Sequence, residues 1–132
     1  MNQQQKKLPW LKWWRGTVTD PKLQLVAYRS GCPAMTVIGC WALCLEHCND
    51  DGWIILNCDE PKFDDLQTLF CAVGKIMESE AVRLIDLLES QGLIHWEEGM
   101  GWTVIKFRER QLVDPGARER MRRKRERDQA LN

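Results

Sequence analysis

Apolar residues recur at three- and four-residue intervals in four stretches of the chain, the spacing of helices that bury one face. The first stretch is 21–30, where Leu23, Val26 and Ala27 point one way. Asp20 before Pro21 is a strong start, a carboxylate cap followed by a ring that presets φ where no donor is needed. Gly31 supplies the stop. A second helix is expected from about Pro33 to about Cys48, with Ala34, Val37, Ile38, Trp41, Leu45 and Cys48 on one wide stripe. "NDDG" interrupts it, and Trp53 to Leu56 reads as a short strand. The third helix, over roughly 64–73, turns Leu66, Leu69, Phe70 and Val73 inward and stops at Gly74 in a left-handed conformation. The turn "KIME" leads to Ser79 as cap of a fourth helix over 79–91, with Val82, Ile85 and Leu88 inward and Gly92 at its end.

The periodicity then changes. "LIHW", the turn "EEGMG" and "WTVIKF" read as a β-hairpin whose loop is eased by Gly99 and Gly101. Beyond Asp114–Pro115–Gly116 almost nothing apolar remains except Met121, so the fold is expected to end near 113. The expected fold class is mainly α with a small β-hairpin (α+β). Its organisation is a polar, disordered N-terminus over 1–8, a domain over 9–113 and a basic tail over 114–132. Helix, helix, short strand, helix, tight turn, helix, hairpin is the order of a winged helix-turn-helix. Helices 64–73 and 79–91 would form the pair, and 97–101 the wing tip.

Charge changes the picture. The 132 residues sum to a net charge of zero, but the two signs are segregated. Residues 1–16 carry four cations and no acid. Residues 17–113 carry 8 basic against 15 acidic residues, and 114–132 carry 7 basic against 4 acidic. An acidic body with two basic ends points to an anionic partner met by the ends. No secretory or membrane-spanning stretch is visible, because "LPWLKWW" is broken by Pro9 and Lys12. An intracellular location with reduced cysteines is therefore expected.

Three features together are similar to the winged-helix N-terminal domains of phage and prophage replication proteins (replication initiators and replisome organisers). They are the opening "WLKWWRGTVTDPKL" with "GCWALCLEHCNDDGWI", the pair "FDDLQTLFCAVGKIMESEAVRLIDLLESQGLI", and the close "KFRERQ" with "DPGARERMRRKRER". The resemblance spans most of residues 10–127. It implies DNA binding during initiation of replication in the cytoplasm of a bacterial host. The partners it implies are single- or double-stranded DNA and a replicative helicase or helicase loader. A homodimer is compatible with it, and no membrane contact is implied.

The expected DNA contacts are Arg118, Arg120, Arg122, Arg123, Lys124, Arg125 and Arg127. Arginine outnumbers lysine six to one there, and its planar fork suits phosphates and bases. Glu119–Arg123 favours a helix while Arg118–Arg122 and Arg123–Arg127 repel. The tail is therefore expected to be disordered when free and to order on a polyanion. A solvated tail with no single partner is the plain alternative.

Trp10, Lys12, Trp13, Trp14 and Arg15 interleave aromatics with cations. Lys12 and Arg15 are candidate phosphate contacts, whereas Trp10 and Trp14 read as packing residues. On the body, Lys75, Arg83, Gln91, Lys106, Arg108 and Arg110 complete the candidate set. A helix that reads the major groove needs donors on its exposed face. Helix 79–91 offers Arg83 and Gln91 there, among Glu80, Asp86 and Glu89. That acidic face suits contact with a basic protein instead, so an adaptor role is the rival, and a transcriptional regulator of the same fold is a third reading.

Cys40, Cys44 and Cys48 rise along one helix over about 12 Å, too far apart for the outer two to share an ion. They read as small core residues, and no metal is expected. With only His47 and His95 as histidines and no phosphate loop or nucleophile–base order, neither catalysis nor a cofactor is expected.

Overall fold

The computed structural model describes residues 11–58, 60–111 and 117–131. The expected disorder over 1–8, the packing of Trp10 and the boundary near 113 lie outside the described residues. Among the described residues the chain is mainly helical with one two-stranded antiparallel sheet. Its elements are α1 (Pro21–Ser30), α2 (Ala34–Glu46), α3 (Leu66–Gly74), α4 (Glu78–Ser90), β1 (Ile94–Glu97), β2 (Gly101–Val104), α5 (Phe107–Gln111) and α6 (Ala117–Leu131).

Caps explain most boundaries. Asp20 accepts from the amides of Lys22 and Leu23 at 2.9 and 3.3 Å, and Gly31 closes α1 at φ 75°. Two expected caps sit elsewhere. Gly74 remains inside α3, and the left-handed residue is Lys75 at φ 57°. Ser79 lies within α4, which instead starts after Met77, where Glu80 Oε1 accepts from the Met77 amide at 3.0 Å. A carboxylate at the third helical position serves the same orphan donor as a preceding hydroxyl would. Helix α4 ends in a Schellman turn. Gly92, at φ 74°, donates to Glu89 O at 2.9 Å, and Leu93 donates to Leu88 O at 3.0 Å.

Helix α1 packs on α2 and α4, and α3 packs on the same two helices. Val26, Val37, Cys44, Leu69, Phe70, Leu84, Leu88 and Ile94 are fully buried between them. Each fully buried Leu contributes about 2 kcal/mol. The buried stripe of α4 is Ala81, Leu84, Ile85 and Leu88, so the expected inward Val82 is 44% exposed. Ile85 and Leu88 are buried as expected, and Ala81 and Leu84 complete the face, which leaves Val82 at its edge. Val73 also faces outward, at the last turn of α3.

The expected strand over Trp53–Leu56 is realised as two single-residue bridges. Trp53 and Ile55 pair back onto Asn49 and His47. On the other side Ile54 N donates to Trp102 O at 2.9 Å, and Val104 N donates to Gly52 O at 2.8 Å. The segment thus lies beside β2. In the sheet Ile94 faces Val104 and Glu97 faces Gly101. Strand β2 stops at Val104 rather than running to Phe107. Lys106 adopts φ 64°, and this turn drops Phe107 into the core as α5 begins.

Helix α6 corrects the expectation of a disordered tail. Its residues are nearly all strong helix formers, and Arg122 pairs with Glu126 one turn on. These local terms outweigh the Arg–Arg repulsion along the helix.

Candidate nucleic-acid interface

The sequence places two sets of cations far apart along the chain, and the fold gathers part of them at one cleft. Its walls are residues 12–14 with Thr17, the first turn of α1, and residues 105–107 with Arg110. Its floor is apolar, built from Leu23, Trp41, Leu45, Leu93 and Phe107, all buried. The cleft encloses about 80 Å³, several times what a single water needs. Lys12, Lys22, Lys106 and Arg110 surround it with one acid, Asp20. The Asp20 carboxylate caps α1, and four cations against this one acid leave the rim net positive.

Besides Trp41 in the floor, two more indoles stand at the same cleft. Trp14 is held in place, its Nε1 donating to Arg110 O at 2.9 Å while its carbonyl accepts from Thr17 Oγ1 at 2.6 Å. Trp14, expected to pack as a buried residue, is instead 38% exposed and tied to the body by its indole N–H. Trp13 is 50% exposed. Of the expected contacts, Lys12, Lys106 and Arg110 meet here. Lys22 is not among the expected contacts, yet its position carries a signal. A lysine in the first turn of a helix runs against the helix dipole, so its position asks for another reason.

The remaining body candidates do not join them. Arg83 is exposed, but its Nη1 donates to Ser30 O at 3.0 Å and so caps the C-terminal end of α1. Gln91 is the half-buried C-cap of α4. Lys75 forms the left-handed end of α3, and Arg108 lies 3.8 Å from Asp51 with both side chains largely in solvent. Arg15 is exposed and stands outside the cleft lining.

The outward face of α4 is acidic, as its sequence indicates, with one change of cast. Glu80 is turned inward, its Oε1 on the Met77 amide and its Oε2 3.7 Å from Cys32 Sγ. Glu78, Asp86 and Glu89 are the exposed carboxylates. The hairpin loop adds exposed Glu97 and Glu98. Carboxylates at both places repel a phosphate backbone.

Helix α6 carries the dense positive charge. Arg120 and the run from Arg122 to Arg127 are exposed, and the Arg118 side chain lies outside the described residues. By helical periodicity Arg120, Arg123 and Arg127 share one side, while Arg122 and Arg125 lie on the opposite one. Glu126 and Asp128 fall along the edges between them. A helix that is polar all round has no seam for packing on a core.

The cysteines of α2 do belong to the core. Cys40 and Cys44 are buried, and so is Cys48, which donates to Cys44 O at 3.2 Å. Burial pushes the Cys40 thiol up to about 12, with nearby Cys32 and Cys71 adding to the shift, and burial likewise raises Cys44 well above its ordinary value. These thiols are held protonated and unreactive. Among the described residues no group of three His, Cys, Asp or Glu has a metal-holding arrangement.

No family model, curated protein or solved structure matches the chain. Among the described residues no helix is long and apolar enough to cross a membrane.

Proposed function

We propose that the chain is a winged-helix DNA-binding protein of phage or prophage replication, acting at initiation or helicase recruitment. Its hold on DNA comes chiefly from phosphate contacts made by α6. The order α2, the bridged segment at Trp53–Ile54, α3, a tight turn, α4 and an antiparallel ribbon supports the winged-helix reading. The replication role rests on the resemblance of the Trp-rich opening and Arg-rich close to replication proteins of that kind.

The observation that carries DNA binding is α6. Its cations project to opposite sides of a helix with no apolar seam, an arrangement suited to a polyanion rather than to a protein core. Because α4 and the loop tip expose carboxylates, sequence reading through the major groove is not part of this proposal.

The test is DNA binding by the full chain, measured by fluorescence anisotropy across a salt series. If about six phosphates are neutralised, affinity falls about a thousandfold between 50 and 200 mM salt. Replacing Arg120, Arg122, Arg123, Lys124, Arg125 and Arg127 with Gln removes most of the affinity and flattens the salt slope. Absence of binding by the unmodified chain at low salt overturns the proposal.

In that event the adaptor reading takes its place. It is favoured by the exposed Glu78, Asp86 and Glu89 beside exposed Met77 and Val82, a surface for a basic, partly apolar protein such as a helicase or its loader.

A further inference from the structure

We infer that the cleft between the Trp13–Trp14 segment and the Lys106–Arg110 turn takes one unpaired base of single-stranded DNA, with its phosphate on the cationic rim. This inference rests on the DNA-binding reading and adds a strand preference that α6 alone does not provide. Phosphate contacts from an extended basic helix are indifferent to pairing, because duplex and single strand both present phosphates. A stacking platform is selective, because a base inside a duplex has both faces occupied by its neighbours.

Three observations converge on this ligand. First, the cleft combines an apolar floor with a cationic rim, which matches a nucleotide, a flat apolar base carrying an anion at one end. A polypeptide partner would need backbone donors and acceptors along the floor, and Leu23, Leu45, Leu93 and Phe107 present hydrocarbon there. Second, the aromatic wall is held rather than loose. Trp14 is tied to Arg110 O, so its ring keeps a fixed relation to the turn that bears Lys106 and Arg110. Trp13 next to it is half exposed and free of any core role. Third, Lys106 holds a left-handed backbone at φ 64°, a conformation unfavourable for a residue with a Cβ. Glycine would suit that turn better, and a lysine there places an ammonium at the cleft mouth.

The roles divide accordingly. Trp13 stacks on the base and Trp14 forms the fixed side wall. Lys106, Arg110 and Lys22 hold the phosphate. Asp20 is one acid against the four cations of the lining, so the rim is net positive where the phosphate sits.

The experiment compares Trp13→Ala, Trp13→Phe and the unmodified full chain on a labelled oligothymidine and on a duplex of equal length. Thermal melting of each variant confirms that the exposed ring is not needed for folding. Trp13→Ala is expected to weaken oligothymidine binding roughly tenfold, the loss of one stacked base, while duplex binding stays unchanged. Trp13→Phe retains the single-strand affinity, because a phenyl ring still stacks. Lys22→Gln lowers single-strand binding and its salt slope.

Equal losses on both DNAs, or no loss on either, overturn the cleft assignment while the α6 reading stands. Binding of duplex alone by the unmodified chain does the same. Failure of the unmodified chain to bind either DNA defeats the DNA-binding reading itself, and this inference with it.

Discussion

Arg83 reaches from α4 to the last carbonyl of α1, its Nη1 3.0 Å from Ser30 O across 53 positions of sequence. The residue best placed by sequence to read DNA from the fourth helix therefore closes another helix. A cation at a helix C-terminus meets the negative end of the dipole and satisfies an orphan carbonyl. Arg83→Ala is expected to lower stability by about 1 kcal/mol, measured by urea denaturation, with DNA affinity little changed. A large affinity loss at unchanged stability would return Arg83 to the binding surface.

Asn49 governs the turn that carries the chain from α2 into the bridged segment. Its side chain is buried, and Oδ1 accepts from the amides of Asp51 and Trp53, each at 3.0 Å. Asn49→Ala leaves both amides without that acceptor and is expected to cost about 1–3 kcal/mol. Asn49→Asp retains an acceptor and should cost less. Equal melting temperatures for the two variants would show that the acceptor is not what the site requires.

Gly52 cannot carry a side chain. A Cβ there would lie 2.9 Å from Phe107 Cβ and 3.3 Å from Val104 O, at a backbone φ of 90°. Gly52→Ala combines strain with overpacking, and a loss of about 2–4 kcal/mol is expected in denaturant titration. A loss under 1 kcal/mol would mean that α5 can withdraw from the turn.

The left-handed Lys75 offers the opposite sign. Lys75→Gly removes the Cβ penalty at the end of α3, and a gain of about 0.5–1 kcal/mol is expected. Because Lys75 lies outside the cleft, DNA binding by this variant should track the unmodified chain apart from one lost surface charge.

Alkaline pH probes the buried thiols. The Cys40 thiol is raised to about 12 from an ordinary value of 9.0, with desolvation as the main cause. The unfolded chain therefore ionises first. The contribution from the protonated thiol is complete below pH 9 and declines as pH rises from there toward 12. Melting temperature is expected to fall over this window, and less steeply in Cys40→Ala measured against its own value at neutral pH. An identical decline in that variant would assign the alkaline loss to other groups.

Much of this fold was legible because local rules and global packing agree in it. Asp20–Pro21 and Gly31 bracket α1 as they stand in the sequence, and the Gly99 and Gly101 pair marks the loop of the ribbon. Departures arise where one element leans on another. The size of Val82 suits an inward position, whereas the buried face of α4 runs through the smaller Ala81. Gly74 carries the usual residue for a helix stop, but the chain turns one position later at Lys75. The cleft was only half legible. Lys12, Lys106 and Arg110 stood out as cations, but their convergence with Lys22 depends on how residues 12–17 lie across α1 and α5, a long-range relation with no periodic signature. The order in α6 does not show in the charge pattern, where repulsive Arg pairs stand against the intrinsic helix preference of Arg, Lys, Glu and Ala.

Leu93 occupies a position whose mechanical meaning goes beyond helix termination. Its amide completes the closing turn of α4 on Leu88, while its carbonyl accepts from Ile105 at 3.0 Å where the ribbon returns. One residue, through the two peptide groups on either side of its Cα, thus ties the helix to both legs of the ribbon. The end of α4, the start of the ribbon and its return therefore share one hydrogen-bonded node, and that node sits in the floor of the cleft.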